Sequence, residues 1–165
     1  MRIIKSNELK QIELDILTKI DYVCRKNNFR YSLCGGTLLG AIRHKGYIPW
    51  DDDIDICLKR SDYMRLIEAF KKENNTDYVY NGFYFSDTSG QPFMSVSDYT
   101  GVPIPASVQE KFFGCPYVAG IDIYPLDYVP RDSELAGLQL NMYVALYDIA
   151  IRFYEISRQE LEDNL

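Results

Sequence analysis

Apolar residues recur along this chain in two alternating rhythms. From Ser6 to Asn27, Leu9, Ile12, Ile16, Ile20, Val23 and Cys24 return at three- and four-residue steps among Lys, Glu, Asp and Gln, the spacing of an amphipathic helix with one buried stripe. Ser6 or Asn7 can cap its start, and Asn27-Asn28 stops it before an extended Phe29–Cys34. Gly35-Gly36-Thr37 reads as a turn, after which Leu38, Leu39, Ala41 and Ile42 resume helical spacing until Gly46. Pro49 forces Ile48 extended. Beyond it Ile54, Ile56 and Leu58 alternate with Asp53, Asp55 and Cys57, the period of a strand with two chemically different faces. Ser61 can cap a helix that places Tyr63, Leu66, Ile67 and Phe70 on one side, with Lys71-Lys72 near its C-terminal end.

The second half begins with two runs rich in Tyr, Phe and Val, Asp77–Thr88 and Pro92–Thr100, which are expected to pair as a hairpin or meander. Gly101–Pro116 contains three prolines and a helical scrap at Ala106–Phe113, an irregular connection that is expected to cover a substrate. Tyr117–Leu126 is again extended, with Asp122 among Val118, Ile121 and Ile123, and Pro125 and Pro130 are expected to stop it. From Ser133, Leu135, Leu138, Met142, Leu146, Ile149 and Phe153 return to helical spacing through to the C-terminus. No repeat, low-complexity tract or linker divides the chain, so one domain over residues 1–165 is expected.

Composition narrows the function classes. A chain of 165 residues can hide roughly two thirds of its unfolded surface, enough for a real core. A net charge of -6 argues against broad nucleic-acid binding, which depends on Lys and Arg neutralising phosphates. Cys24, Cys34, Cys57 and Cys115 are far apart with only His44 as a partner imidazole, so a zinc site is not expected. Three of them lie in apolar segments, which points to buried thiols in a reducing, cytoplasmic setting. Neither a signal peptide nor an apolar run of about 18 to 20 residues is present, so membrane contact is expected to be at most peripheral, at the inner face.

The chemistry concentrates in Asp51-Asp52-Asp53-Ile54-Asp55. Alternation puts Asp53 and Asp55 on one face, where like charges repel unless a cation compensates them. Carboxylates suit Mg2+ or Mn2+, which take hard oxygen ligands together with substrate phosphates. Asp122 on a later strand can complete the set and accept a hydroxyl proton, and Gly35-Gly36 can bring backbone N–H groups to phosphates. Arg43 and Lys45 can hold phosphates or offset the Asp charges, while the lone His44 is not expected to act as a base. Tyr47 and Trp50, flanking a proline, read as packing, Asp51 and Asp52 as the approach to the site, and Asp127 as a turn residue.

The run from Gly35-Gly36-Thr37-Leu38-Leu39-Gly40 through Arg43-His44-Lys45-Gly46 to Ile48-Pro49-Trp50-Asp51-Asp52-Asp53-Ile54-Asp55-Ile56 closely resembles the signature of the LicD family of phosphocholine transferases, related to the fukutin-related ribitol-phosphate transferases. That resemblance implies an α+β nucleotidyltransferase fold, a mixed sheet flanked by helices, of which this chain would be the N-terminal part. It implies that Asp53, Asp55 and Asp122 bind Mg2+ and serve catalysis and that Gly35 and Gly36 bind the donor; Thr37, Arg43 and Lys45 join them as substrate-binding candidates. The implied reaction moves a phospho-alcohol, phosphocholine first, from a CDP-linked donor such as CDP-choline to a hydroxyl of a glycan or glycolipid acceptor in lipopolysaccharide, teichoic acid or capsule biosynthesis. Two rivals remain open: nucleotidyl transfer from a nucleoside triphosphate on the same three carboxylates, and a noncatalytic glycan- or partner-binding module that keeps the fold.

Overall fold

The first amphipathic pattern becomes a 22-residue helix, α1, over Ser6–Asn27. Asn28 stops it by turning left-handed at φ 55°, where its short polar side chain is tolerated, and the Phe29 amide then reaches back to the Cys24 carbonyl. The computed structural model describes residues 6–73, 77–85, 91–98 and 119–163. After α1 come β1 (Tyr31–Leu33), α2 (Gly35–Arg43), β2 (Ile54–Lys59), α3 (Arg60–Glu73), β3 (Tyr78–Asn81), β4 (Met94–Asp98), β5 (Gly120–Leu126) and α4 (Ser133–Asp163). These residues fall into two compact units, one ending at Leu126 and one beginning at Asp127.

In the first unit five strands form one mixed sheet in the order β1-β2-β5-β4-β3. The central pair β2 and β5 is parallel, with Asp55 opposite Asp122, and every other pair is antiparallel. Alternation does what the sequence requires: Ile54, Ile56 and Leu58 of β2, Ile121 and Ile123 of β5, and Met94 and Val96 of β4 all turn into the core. The buried stripes of α1 (Ile16, Ile20, Val23) and α3 (Tyr63, Leu66, Ile67, Phe70) close over them. This apolar layer fixes the strand register, because a slip of one residue would turn the isoleucines out and the aspartates in. The opposite faces of β2 and β5 therefore carry the carboxylates. The fold is α+β, as the sequence implies.

Local boundaries differ from the sequence reading in several places; Ser61, expected to cap the third helix, lies inside α3, which begins at Arg60. The Gly35-Gly36 pair is the first turn of α2 rather than a turn before it. Pro125 does not stop β5, which continues to Leu126 with Pro125 opposite Leu58. The pairing with β4 ends at Ile123, so at Pro125 the strand has a partner on one side only and a missing N–H is tolerated there. The hairpin expectation holds for β3 and β4, whereas the connection at 101–116 lies outside the described residues.

The second unit is built on α4. Asp132 caps it, its Oδ1 accepting the amides of Glu134 and Leu135 at 3.0 and 2.9 Å. Gln139 Nε2 donates to the Tyr128 carbonyl at 3.0 Å and ties the lead-in segment to the helix. Among the described residues no helix is long and apolar enough to cross a membrane.

Candidate functional site

Strand register assembles the site. Asp55 and Asp122 are direct partners across the parallel β2–β5 pair, and Ser95 of β4 stands opposite Asp122 on its other side. On the far side of β2 the Cys34 amide donates to the Asp55 carbonyl at 3.1 Å, so one row runs Cys34, Asp55, Asp122, Ser95 across the sheet. The isoleucines on either side of each aspartate are buried, which leaves both carboxylates on the opposite face. Tyr124, two residues beyond Asp122 and on the same face, donates its phenol proton to Asp122 Oδ2 over a long 3.5 Å.

α2 begins against this row. Its N-cap residue, Cys34, offers no side-chain cap, so the amides of the first turn are not closed off by a side chain, the condition under which a helix N-terminus takes an anion. Gly35 adopts φ +54°, and a Cβ there would lie 2.8 Å from Asp55 Oδ2. A Cβ on Gly36 would lie 2.6 Å from Asp51 Oδ2. Both glycines thus let backbone come up to carboxylates where a side chain would intervene. Thr37 serves the frame: its hydroxyl accepts the Asp55 amide at 2.8 Å and pins α2 to β2.

The carboxylates perturb one another. Burial, then the charge of Asp55 and then that of Asp53, push Asp122 from the ordinary 3.8 up to about 6, against a lowering by the Tyr124 bond. Asp55 is raised by burial and by the charges of Asp53 and Asp51. Asp53 is raised by burial, by Asp51 and Asp52, and by a hydrogen bond shared with Asp51. Crowded carboxylates that hold protons above their ordinary range are a site short of positive charge, and such groups cluster where chemistry is done.

The sequence-predicted residues divide accordingly. Asp55, Asp122, Gly35, Gly36 and Thr37 come together, with Asp53 just before β2 and within electrostatic reach. Arg43 and Lys45 stand at the other end of α2, about 12 Å from the glycines by helix rise. Their described bonds are local: Arg43 Nε donates to His44 Nδ1, and Lys45 Nζ to the Ile42 carbonyl. Tyr47 packs against the core, as expected, but Trp50 does not: it is 80% exposed, meeting His44 edge-on with ring centroids 6.3 Å apart. Trp50 lies in a turn closed by the Asp51 amide donating to the Ile48 carbonyl at 3.0 Å, outside the helices and strands that bury the core.

Two residues, Ser95 and Glu13, are not singled out from sequence, and a third, Asp51, stands closer than the approach expected of it. Asp51 is at the site and not merely on its approach, because it lies against Gly36. Ser95 is buried and in register with Asp122, foreshadowed by the alternation Met94-Ser95-Val96-Ser97. Glu13 of α1 is only 2% exposed, and its Oε2 accepts the Tyr47 hydroxyl at 2.9 Å. Its position between Ile12 and Ile16, inside the apolar stripe, was the available signal. Burial first, then Asp53 and Asp52, lift its carboxyl from the ordinary 4.5 to about 7, opposed by the Tyr47 bond and Lys10.

Among the described residues no three His, Cys, Asp or Glu side chains converge closely enough to hold a metal ion by themselves. The donor set nevertheless fits magnesium or manganese. These ions are commonly held by one or two carboxylates, with waters and substrate phosphates filling the remaining positions, and Asp55 and Asp122 supply such a pair.

Residues 28–110, half of the chain, match the family model described as "LicD/FKTN/FKRP, nucleotidyltransferase domain". The chain belongs to the LicD family. Over 77 residues it is 44% identical to the lipopolysaccharide cholinephosphotransferase LicD of Haemophilus influenzae, a match covering 45% of this chain and 29% of that protein. It is also 38% identical over 85 residues to an uncharacterized protein of Rickettsia typhi (46% of this chain, 28% of that one) and 54% identical over 54 residues to one of Rickettsia prowazekii (33% and 20%). The chain thus spans less than a third of the length of each of these relatives. The LicD match ends at residue 110, so Asp122 enters the site on its register with Asp55.

Proposed function

We propose that this LicD-family chain carries the donor-binding half of a phosphocholine transferase, which moves phosphocholine from CDP-choline to a hydroxyl of a lipopolysaccharide-type glycan or glycolipid. The observation that carries the reading is the Asp55–Asp122 pair, in register on adjacent parallel strands with the uncapped first turn of α2 against it. The H. influenzae relative, named as a lipopolysaccharide cholinephosphotransferase, supports the choice of donor and acceptor class.

In this reading Asp55 and Asp122, with Asp53 beside them, hold a Mg2+ or Mn2+ ion. A bound divalent ion supplies charge neutralisation of the diphosphate and of the leaving CMP. The chain's own groups do the rest. The Gly35 and Gly36 amides at the N-terminus of α2 receive phosphate oxygens of the donor. Asp122 accepts the proton of the attacking hydroxyl as its oxygen bonds to the choline-side phosphorus and the bond to the CMP oxygen breaks. Thr37 holds the helix start at a fixed distance from Asp55. Arg43 and Lys45, at the far end of α2, are reserved for remote parts of donor or acceptor. Free Cys24, Cys34 and Cys57 are in keeping with a reducing cytoplasmic location.

The test is donor choice. Purified chain is incubated with Mg2+ or Mn2+ and either CDP-choline or a nucleoside triphosphate. CMP release from CDP-choline, lost in Asp55→Asn, is the expected result. Pyrophosphate release from the triphosphate would replace the reading with nucleotidyl transfer. Absence of metal-dependent binding of either nucleotide, with no effect of Asp55→Asn, would leave a noncatalytic module.

A further inference from the structure

Glu13 is a carboxylate placed where an aliphatic residue would pack without penalty, on the core face of α1 beside Ile16 and Ile20. What it gains is a contact with the segment between α2 and β2. That segment, residues 44–53, is free of helix and strand, yet it must set Asp51 against Gly36 and deliver Asp53 to the start of β2. Three ties run from one turn of α1 to it. Tyr47 Oη donates to Glu13 Oε2 at 2.9 Å and lies 3.3 Å from the Lys10 carbonyl. Lys10 Nζ sits over the Tyr47 ring, 4.9 Å from its centroid. The same ammonium donates to the Pro49 carbonyl at 3.4 Å.

The geometry points to Glu13 as a positioning residue: through Tyr47, and with Lys10, it clamps the Tyr47–Pro49 segment to α1 and so sets where Asp51 and Asp53 stand in the carboxylate site. This rests on the reading of those carboxylates as a cation and phosphate site, but the clamp itself is a statement about the loop. α1 is a rigid reference because its stripe is locked into the sheet. The loop gains its register from a part-buried hydrogen bond whose acceptor, Glu13, is shielded from the solvent that weakens exposed bonds. Glu13 touches no reacting atom in this scheme and acts through Tyr47 alone.

Trp50 is the chain's single tryptophan and lies inside the clamped loop, exposed, so its fluorescence anisotropy reports loop order directly. The full chain is compared with Glu13→Gln, which keeps an acceptor for Tyr47, and with Glu13→Ala and Tyr47→Phe, which remove the bond. Each is also titrated with Mn2+. Glu13→Gln is expected to hold wild-type anisotropy and Mn2+ affinity. The other two are expected to lower the Trp50 anisotropy and weaken Mn2+ binding about ten-fold, the upper range of what losing one hydrogen bond costs. Wild-type anisotropy in both Glu13→Ala and Tyr47→Phe would overturn the clamp. If far-UV circular dichroism shows that these two do not fold, Lys10→Met decides: lower anisotropy with intact secondary structure supports the clamp, and unchanged anisotropy refutes it. A wild-type chain that binds no Mn2+ counts against the cation reading alone, because the anisotropy comparison still decides the clamp.

Discussion

Replacing Glu13 by Gln should stabilise the protein at alkaline pH and leave it unchanged in acid. In the folded chain the Glu13 carboxyl titrates at about 7, raised from 4.5 chiefly by burial and further by Asp53 and Asp52. A raised acid pKa means that the folded state binds the proton more tightly than the unfolded state. The associated stability is therefore fully present below pH 4.5 and is lost as pH rises through about 7. The gap corresponds to about 3 kcal/mol at pH 8, from 1.36 kcal/mol per pKa unit, or a factor of about 300 in the folding equilibrium. Gln reproduces the neutral acid, keeps an oxygen for the Tyr47 hydroxyl and cannot ionise. Urea unfolding of wild type and variant, measured in steps from pH 4 to 8, isolates this residue, since Asp53, Asp55 and Asp122 titrate in both proteins. The variant is expected to match wild type at pH 4 and to exceed it by up to about 3 kcal/mol at pH 8. Equal pH slopes, or a variant less stable at pH 8, would refute the claim that this carboxylate is destabilised by its burial.

Two further outcomes test the site and its frame. Asp55→Asn removes one of the two negative neighbours that raise Asp122, so the Asp122 carboxyl should titrate below its present value of about 6; carbon-13 NMR of the side-chain carboxyls measures this, and an unchanged midpoint would show that the two groups are not in electrostatic contact. Gly40→Ala would put a Cβ 2.6 Å from the Gly46 carbonyl oxygen and 3.1 Å from the Ile48 amide, both backbone atoms, whereas a Cβ at Gly46 meets nothing within 4 Å. Gly40→Ala should cost about 1 to 3 kcal/mol by overpacking while Gly46→Ala stays within about 0.5 kcal/mol, and denaturant melts showing equal effects would mean that the α2–loop contact is not tight.

The chain's periodicity alone is enough to lay out the helices, the acidic strand and the core. Helical spacing from Leu9 to Cys24 yields α1 over its full length, and the alternation of Ile54, Ile56 and Leu58 with Asp53, Asp55 and Cys57 fixes which face of β2 is apolar. These features are local: each depends on the repeat of a helix or a strand, which a linear sequence carries intact. The glycine pair and the Asp-rich run were also legible as chemistry, because crowded carboxylates repel unless a cation compensates them and glycine lets backbone come close to a ligand.

Tertiary structure decided what lies opposite what. Nothing local pairs Asp55 with Asp122, which are far apart in sequence and meet only because β5 enters the sheet parallel to β2. The same pairing brings Ser95 into the row, and strand length explains why Pro125 can stay in β5 beyond the reach of β4. Asp51 could not be separated from Asp52 by period alone, since both precede the strand; its contact with Gly36 separates them. Glu13 sat in plain view within an apolar stripe, but its partner is 34 residues away on a loop without regular structure. Propensity and period are properties of neighbours in the chain, whereas the field at a carboxylate is set by neighbours in space, and only the folded sheet brings these together.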